Sequence, residues 1–282
     1  MDIKLLEKIK KLTLRALVGD EILMKGLVLK GGNALQMAYD ITSRGSIDID
    51  FSIANDFSES DKLHIHVRLE ILLNITFEKE GLKVFDVNFF EKPKANKVKE
   101  WKGYCIEFKT IELSKFNSMS LKQSRITAIA VNPNNSTKFT VDISSYEYID
   151  GKKLKEIEGA VMYVYTPEMI LFEKIRALCQ TIPEYQTIIE SANIKGRARD
   201  VYDIWNICQS YPIDFSSEEN RMILAEIFAA KKVPLEFMNL LEKYKDIRAQ
   251  DWPNVQATVN GDLEPFDYYF NFLLDILKRL KS

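Results

Sequence analysis

Apolar positions recur along this chain with two different periods, and the change of period divides it. From Asp2 to Val18, DIKLLEKIKKLTLRALV repeats apolar residues every three to four positions and predicts an amphipathic helix. LVLKGG (27–32) reads as a short buried strand ended by two glycines. NALQMAYD reads as a helix with Asn33 as its N-cap. SIDIDFSI (46–53) alternates with period two and predicts a strand. SESDKLHIHVRLEILLNITFEKEG (58–81) predicts a long helix, with Leu63, Val67 and Leu69 to Leu73 toward a core and Gly81 as its stop. Four further stretches read as strands: LKVFDVNFFEK, GYCIEFKTIEL, SRITAIAVN and KFTVDISSYE, the last two joined by a hairpin loop at NPNNS. Beyond about Val164 the period becomes helical. TPEMILFEKIRALCQ opens with Thr166 as cap and Pro167 in the first turn. The expected organisation is an α/β part over 1–165 and a helical part over 166–282.

Composition narrows the class only slightly. The 282 residues carry 28% charged side chains and a formal net charge of −2, so nucleic acid could be met only by a local patch. KPKANKVKEWKG (92–103), with five lysines and a tryptophan, is the best local candidate for an RNA backbone contact. FDYYFNFLL near the C-terminus reads as a helix core face. Three scattered cysteines, Cys105, Cys179 and Cys208, make no disulfide framework, and with only His64 and His66 they make no zinc site. Reduced thiols and a cytoplasmic location are expected. No apolar run approaches the ~18 residues that cross a membrane.

The chemistry concentrates in RGSIDIDFSI (44–53). Residues i and i+2 of a strand share a face, so Asp48 and Asp50 project together while Ile49 and Phe51 project oppositely. Carboxylates this close repel unless a cation lies between them or one is protonated. Oxygen donors of this kind suit Mg²⁺. Asp142, between Val141 and Ile143, offers a third carboxylate if its strand is adjacent. Upstream, Lys30-Gly31-Gly32-Asn33 places glycines between a strand and a helix, where backbone N–H groups can cradle phosphate. Together these residues would hold a nucleoside triphosphate and its metals for in-line transfer.

The combination KGGNAL and RGSIDID resembles the polymerase-beta-like nucleotidyltransferase superfamily and, more narrowly, the AbiEii/AbiGii toxin family. Lys174 in LFEKIRAL and Arg199-Asp200-Val201-Tyr202-Asp203 in GRARDVYDIW match that family's later motifs. The superfamily often has serine where this chain has Gly32, which removes one hydroxyl from the phosphate cradle. The resemblance implies an α/β (α+β) polymerase-beta-like core with a mixed sheet, and a helical region completing the active-site cleft. It implies an Mg²⁺-dependent toxin of a toxin–antitoxin or phage-defence system that moves a nucleotide from a triphosphate to RNA, with the tRNA 3′ end the expected acceptor and a cognate antitoxin as a possible partner. Asp48, Asp50 and Asp142 would ligate two metals. Lys30, Gly31, Gly32, Asn33, Arg44, Ser46, Lys174 and Asp203 would bind the nucleotide.

The later motif also has a bland reading. Lys174 could pair with Glu168 or Glu173, and Arg199 with Asp203, as helix-surface pairs. In the functional reading Lys174 is a point charge on the triphosphate, and Asp200 orients either Lys174 or the acceptor hydroxyl. Two other functions stay open: a nucleotide-binding module without turnover, and a transferase acting on a small hydroxyl compound.

Overall fold

The structure is a computed structural model that describes residues 2–41, 48–93, 98–132, 134–259 and 261–280. The chain forms two compact units. The first holds 1–33 and 46–164, the second 34–45 and 165–282.

The first unit is a seven-stranded mixed sheet with helices. Its strands are β1 (Val28–Lys30), β2 (Ile49–Ser52), β3 (Leu82–Lys92), β4 (Gly103–Glu112), β5 (Phe139–Ser144), β6 (Lys153–Ile157) and β7 (Ala160–Val164), in the spatial order β3-β4-β5-β2-β1-β7-β6. β2 runs antiparallel to β1 and parallel to β5, and β1 runs parallel to β7. One face is apolar: Leu29 registers with Phe51, and Phe51 with Ile143. Phe51 lines a small gap with Leu14, Leu17 and Leu23, so helices cover this face. The helices are α1 (Ile3–Leu17), α2 (Glu21–Gly26) and α4 (Glu59–Glu78). Asp2 caps α1 by accepting from the Lys4 and Leu5 N–H groups, and Ser58 with Asp61 forms a capping box on α4. α3 (Gly31–Tyr39) follows β1 directly.

Three sequence expectations change here. In α4 the buried row is Ile65, Leu69, Leu73 and Phe77, whereas Leu63 and Val67 are exposed. The helix is apolar on both sides, so periodicity alone could not select the inward one. SRITAIAVN contains no strand. Ser120 and Gln123 form a capping box that starts α6 (Leu121–Thr127), after the short α5 (Leu113–Ser118). NPNNS therefore joins no hairpin, although Val131 N–H still bonds the Ser136 carbonyl at 2.9 Å. Asn33 is no cap, because α3 already begins at Gly31.

The second unit is helical among its described residues. It contains α7 (Pro167–Cys179), α8 (Ala198–Ser210), α9 (Glu218–Ala229), α10 (Lys245–Ala249), α11 (Trp252–Gln256) and α12 (Phe266–Arg279), with 3-10 turns between. Thr166 caps α7 through Met169 N–H, and Pro167 occupies its first turn, as the sequence predicts. Tyr202, Trp205, Trp252 and Tyr269 form an aromatic cluster, and Tyr269 and Phe270 of the FDYYFNFLL helix are buried. No described helix is long and apolar enough to cross a membrane.

Candidate active site

Three adjacent central strands bring charge to the sheet face opposite the apolar one. Lys30 of β1 registers with Asp50 of β2, and Asp50 with Asp142 of β5. Registered residues point to the same side, so these three share a face. Asp48 lies just before β2. It is exposed and accepts a hydrogen bond from Thr140 Oγ1 at 3.1 Å, two residues before Asp142. Asp48 and Asp50, at the start of β2, thus lie beside Thr140 and Asp142 of β5.

Gly31 lies close to Asp50. Its φ is +69°, in the left-handed region, and a Cβ there would stand 3.1 Å from Asp50 Oδ2. Only glycine turns the chain from β1 into α3 while leaving the carboxylate in place. Gly32 and Asn33 follow in the first turn of α3, whose N–H groups have no intrahelical partners. Asn33 is buried, and its amide donates to the Asp48 carbonyl at 2.5 Å, so it braces the carboxylate segment. Arg44 and Ser46 lie outside the described residues.

Two lysines answer the carboxylates. Lys30 is 9% exposed and pairs at 3.6 Å with Glu147, a buried carboxylate after β5. Lys92, at the end of β3, reaches Asp142 Oδ1 at 2.8 Å. Burial works against its charge, yet Asp142 raises its pKa. Cys105, the β4 partner of Asp142, is buried, and burial followed by the Asp142 charge pushes its thiol up to about 12. It stays neutral.

The second unit carries a cluster of its own. Lys174 of α7 donates to Asp200 Oδ1 at 3.1 Å and to Asp203 Oδ2 at 2.6 Å, both on α8. Arg197, just before α8, grips the other Asp200 oxygen through Nε. Burial opposes the Asp200 charge, but Arg197 and Lys174 outweigh it and hold the carboxyl at about 2. The surface pairs considered from the sequence do not form this arrangement. Asp203 is buried against Lys174, not laid on the surface against Arg199.

A family model described as the nucleotidyl transferase AbiEii toxin of type IV toxin–antitoxin systems matches residues 14–272. The chain belongs to this family. No curated protein matches it. Among solved structures, an H. pylori protein provisionally named a nucleotidyltransferase shares 16% identity at a TM-score of 0.50, over 100% of this chain and 96% of that one. JHP933 of Helicobacter pylori shares 17% over 98% and 90%, with a TM-score of 0.47. The nucleotidyltransferase toxin MenT4 of Mycobacterium tuberculosis shares 10% over 99% and 93%, with a TM-score of 0.33. The first of these supports a nucleotidyltransferase fold for this AbiEii chain. The family implies a cognate antitoxin.

Whether the AbiEii sheet face suits Mg²⁺ is a question of donors and charge. Its donors are hard carboxylate oxygens, which Mg²⁺ prefers. Asp48, Asp50, Asp142 and Glu147 set against Lys30 and Lys92 leave two negative charges, which one divalent cation cancels. Among the described residues no group of three or more His, Cys, Asp or Glu is set to hold a metal as it stands. Asp142 Oδ1 is engaged by Lys92, which competes with a cation for that oxygen. Donor chemistry and net charge fit the ion. Three participants were missed in the sequence reading of the site. Thr140 had a signal, being two residues before Asp142 on a strand. Glu147 and the Lys92–Asp142 pairing had none, since both contacts depend on the strand order.

Proposed function

We propose that this AbiEii chain is an Mg²⁺-dependent toxin that transfers a nucleotide from a nucleoside triphosphate to an RNA acceptor, at the 3′ end of tRNA. The observation that supports this most is the set of carboxylates Asp48, Asp50 and Asp142 on one face of adjacent strands, with Gly31 opening the backbone beneath Asp50. Asp48, Asp50 and Asp142 would hold Mg²⁺, which when bound lends electrophilic help to the α-phosphate. The N–H groups of Gly31 and Gly32 would receive phosphate oxygens at the start of α3. Asn33 fixes the Asp48 backbone, and Lys30 sets the charge beside Asp50. In the second unit Asp200 is assigned to holding the Lys174 ammonium, and Asp203 to the same contact. In the reaction the acceptor oxygen forms a bond to the α-phosphorus. The bond to the leaving pyrophosphate breaks with its electrons, and the hydroxyl proton passes to a carboxylate of the trio.

The test is incubation with Mg²⁺, each α-labelled nucleoside triphosphate and total bacterial RNA, resolved on a denaturing gel. The expected result is a labelled band of tRNA size that is absent with Asp48→Ala/Asp50→Ala. A folded Asp50→Ala protein with full transfer would refute the assignment. Label on a small hydroxyl compound and none on RNA would move the acceptor to the small-molecule class. Triphosphate binding without any transfer would leave a binding module.

A further inference from the structure

The solvent side of α4 is the anomaly of the first unit. Leu63, Val67, Ile71 and Ile75 are 66%, 59%, 56% and 53% exposed, although each is large and apolar. They recur every four residues, so they form one ridge about 18 Å long that spans about 120° of the helix surface. The buried row of α4 already supplies what the sheet needs. An isolated exposed leucine needs no explanation, but four in one ridge mark a surface that is covered by something.

The charges beside the ridge identify the cover. At 100° per residue, Arg68 lies about 80° to one side of the ridge centre and Glu70 about 80° to the other, only about 3 Å apart along the axis. Arg68 is half exposed, with Nε 3.6 Å from Asp20 Oδ2, and Glu70 is exposed. When two copies of α4 pack ridge to ridge in the same direction about a two-fold axis, the Arg68 flank of each meets the Glu70 flank of the other. The ion pair then forms twice. When they pack in opposite directions, arginine faces arginine and glutamate faces glutamate. The surface is therefore complementary to itself in one orientation.

We propose that α4 is a homodimerisation surface, in which two copies of this chain bury the Leu63–Val67–Ile71–Ile75 ridge against each other with their α4 helices running the same way. Rows spaced i, i+4 pack into each other at a crossing angle of about −50°. One ridge is smaller than the ~800 Å² per partner of a standard interface, so the dimer is reversible and depends on concentration.

The test is sedimentation velocity on the full chain from about 5 to about 200 µM, a range that spans micromolar dissociation constants. The wild type is expected to shift from monomer to dimer. Val67→Glu/Ile71→Glu, both at exposed sites, is expected to stay monomeric throughout with an unchanged melting temperature. Arg68→Glu and Glu70→Arg are each expected to weaken the dimer about tenfold, and the double swap to restore it, since both partners change together. Mild oxidation of Val67→Cys is expected to link two chains through that position. A wild type that is monomeric at every concentration overturns the proposal. So does a dimer that survives Val67→Glu/Ile71→Glu. Failure of the double swap to restore a dimer lost in both single variants also overturns it, because a different partner or orientation would behave that way.

Discussion

Asp200→Asn is the sharpest probe of the second unit. Asp200 is 6% exposed and takes one cation on each oxygen, Lys174 on Oδ1 and Arg197 on Oδ2. With Asp203 the four groups carry two positive and two negative charges. Asparagine keeps the shape but leaves the buried cluster at +1 and aims an NH₂ at a donor. Breaking a buried pair from one side costs about 3–5 kcal/mol. The proton gives a second route to the magnitude. The carboxyl lies at about 2 against an ordinary 3.8, and at ~1.4 kcal/mol per unit that difference contributes about 2–3 kcal/mol at neutral pH. Its sign is fixed by linkage: because the folded value is depressed, the contribution is complete above about pH 4 and is lost as pH falls toward 2. The assay is urea denaturation followed by tryptophan fluorescence in a Trp101→Phe background. The remaining Trp205 and Trp252 then report the second unit alone. The variant should lose about 3 kcal/mol at pH 7, with the gap to wild type closing between about pH 4 and pH 2. Lys174→Met/Asp200→Asn, which restores neutrality, should recover part of the loss. An unchanged midpoint at pH 7, or a gap that stays constant down to pH 2, would refute the electrostatic account.

Three further outcomes follow from the sheet face. Gly31→Ala should cost about 1–2 kcal/mol through its left-handed backbone and reduce transfer at least tenfold by displacing Asp50; wild-type melting together with wild-type transfer would exclude the close approach. Glu147→Gln removes a counter-charge from buried Lys30 and should destabilise by about 3 kcal/mol, much of it recovered in Lys30→Met/Glu147→Gln; thermal melts of the four proteins check this. Lys92→Ala should leave the melting temperature nearly unchanged, because Lys92 is half exposed, but should free Asp142 and tighten Mn²⁺ binding severalfold by calorimetry. Unchanged Mn²⁺ affinity would show that Lys92 does not compete for the carboxylate.

The elements that sequence disclosed best are those whose signal is local and whose two faces differ. SIDIDFSI alternates, and the structure puts Ile49 and Phe51 in the core and Asp50 on the other side. Thr166 and Pro167 announce α7 from adjacent positions. α4 failed as a one-sided helix because both of its sides are apolar and the outer one is exposed. SRITAIAVN looked strand-like because of its β-branched residues, while the Ser120–Gln123 box that starts a helix there carried the deciding information. Lys174 shows a different limit. Its partners Asp200 and Asp203 are 26 and 29 residues away in sequence, beyond any helical spacing rule. Local spacing offered only Glu168 and Glu173, and it was the family resemblance that offered Asp200 as a group orienting Lys174.

The two charged clusters differ in a way that bears on what each is for. Lys174, Arg197, Asp200 and Asp203 neutralise one another and are tied by short hydrogen bonds, so the group is electrostatically complete without a ligand. The sheet face is not. Its four carboxylates Asp48, Asp50, Asp142 and Glu147 stand against two lysines, Lys30 and Lys92, a formal excess of two negative charges on and beside central strands. Carboxylates gathered on adjacent strands repel where their charges are not offset, and the backbone pairing on both sides of β2 limits how far they can spread. Natural folds carry such repulsion where an external charge is to be received. Neutralising the face by substitution should therefore stabilise the first unit while it abolishes transfer. Asp50→Asn is the clean case, because it removes charge without changing shape. A higher melting temperature with no activity would mark this face as the place where stability is given up for binding, and a lower one would mean that Asp50 serves the fold as a partner of Lys30.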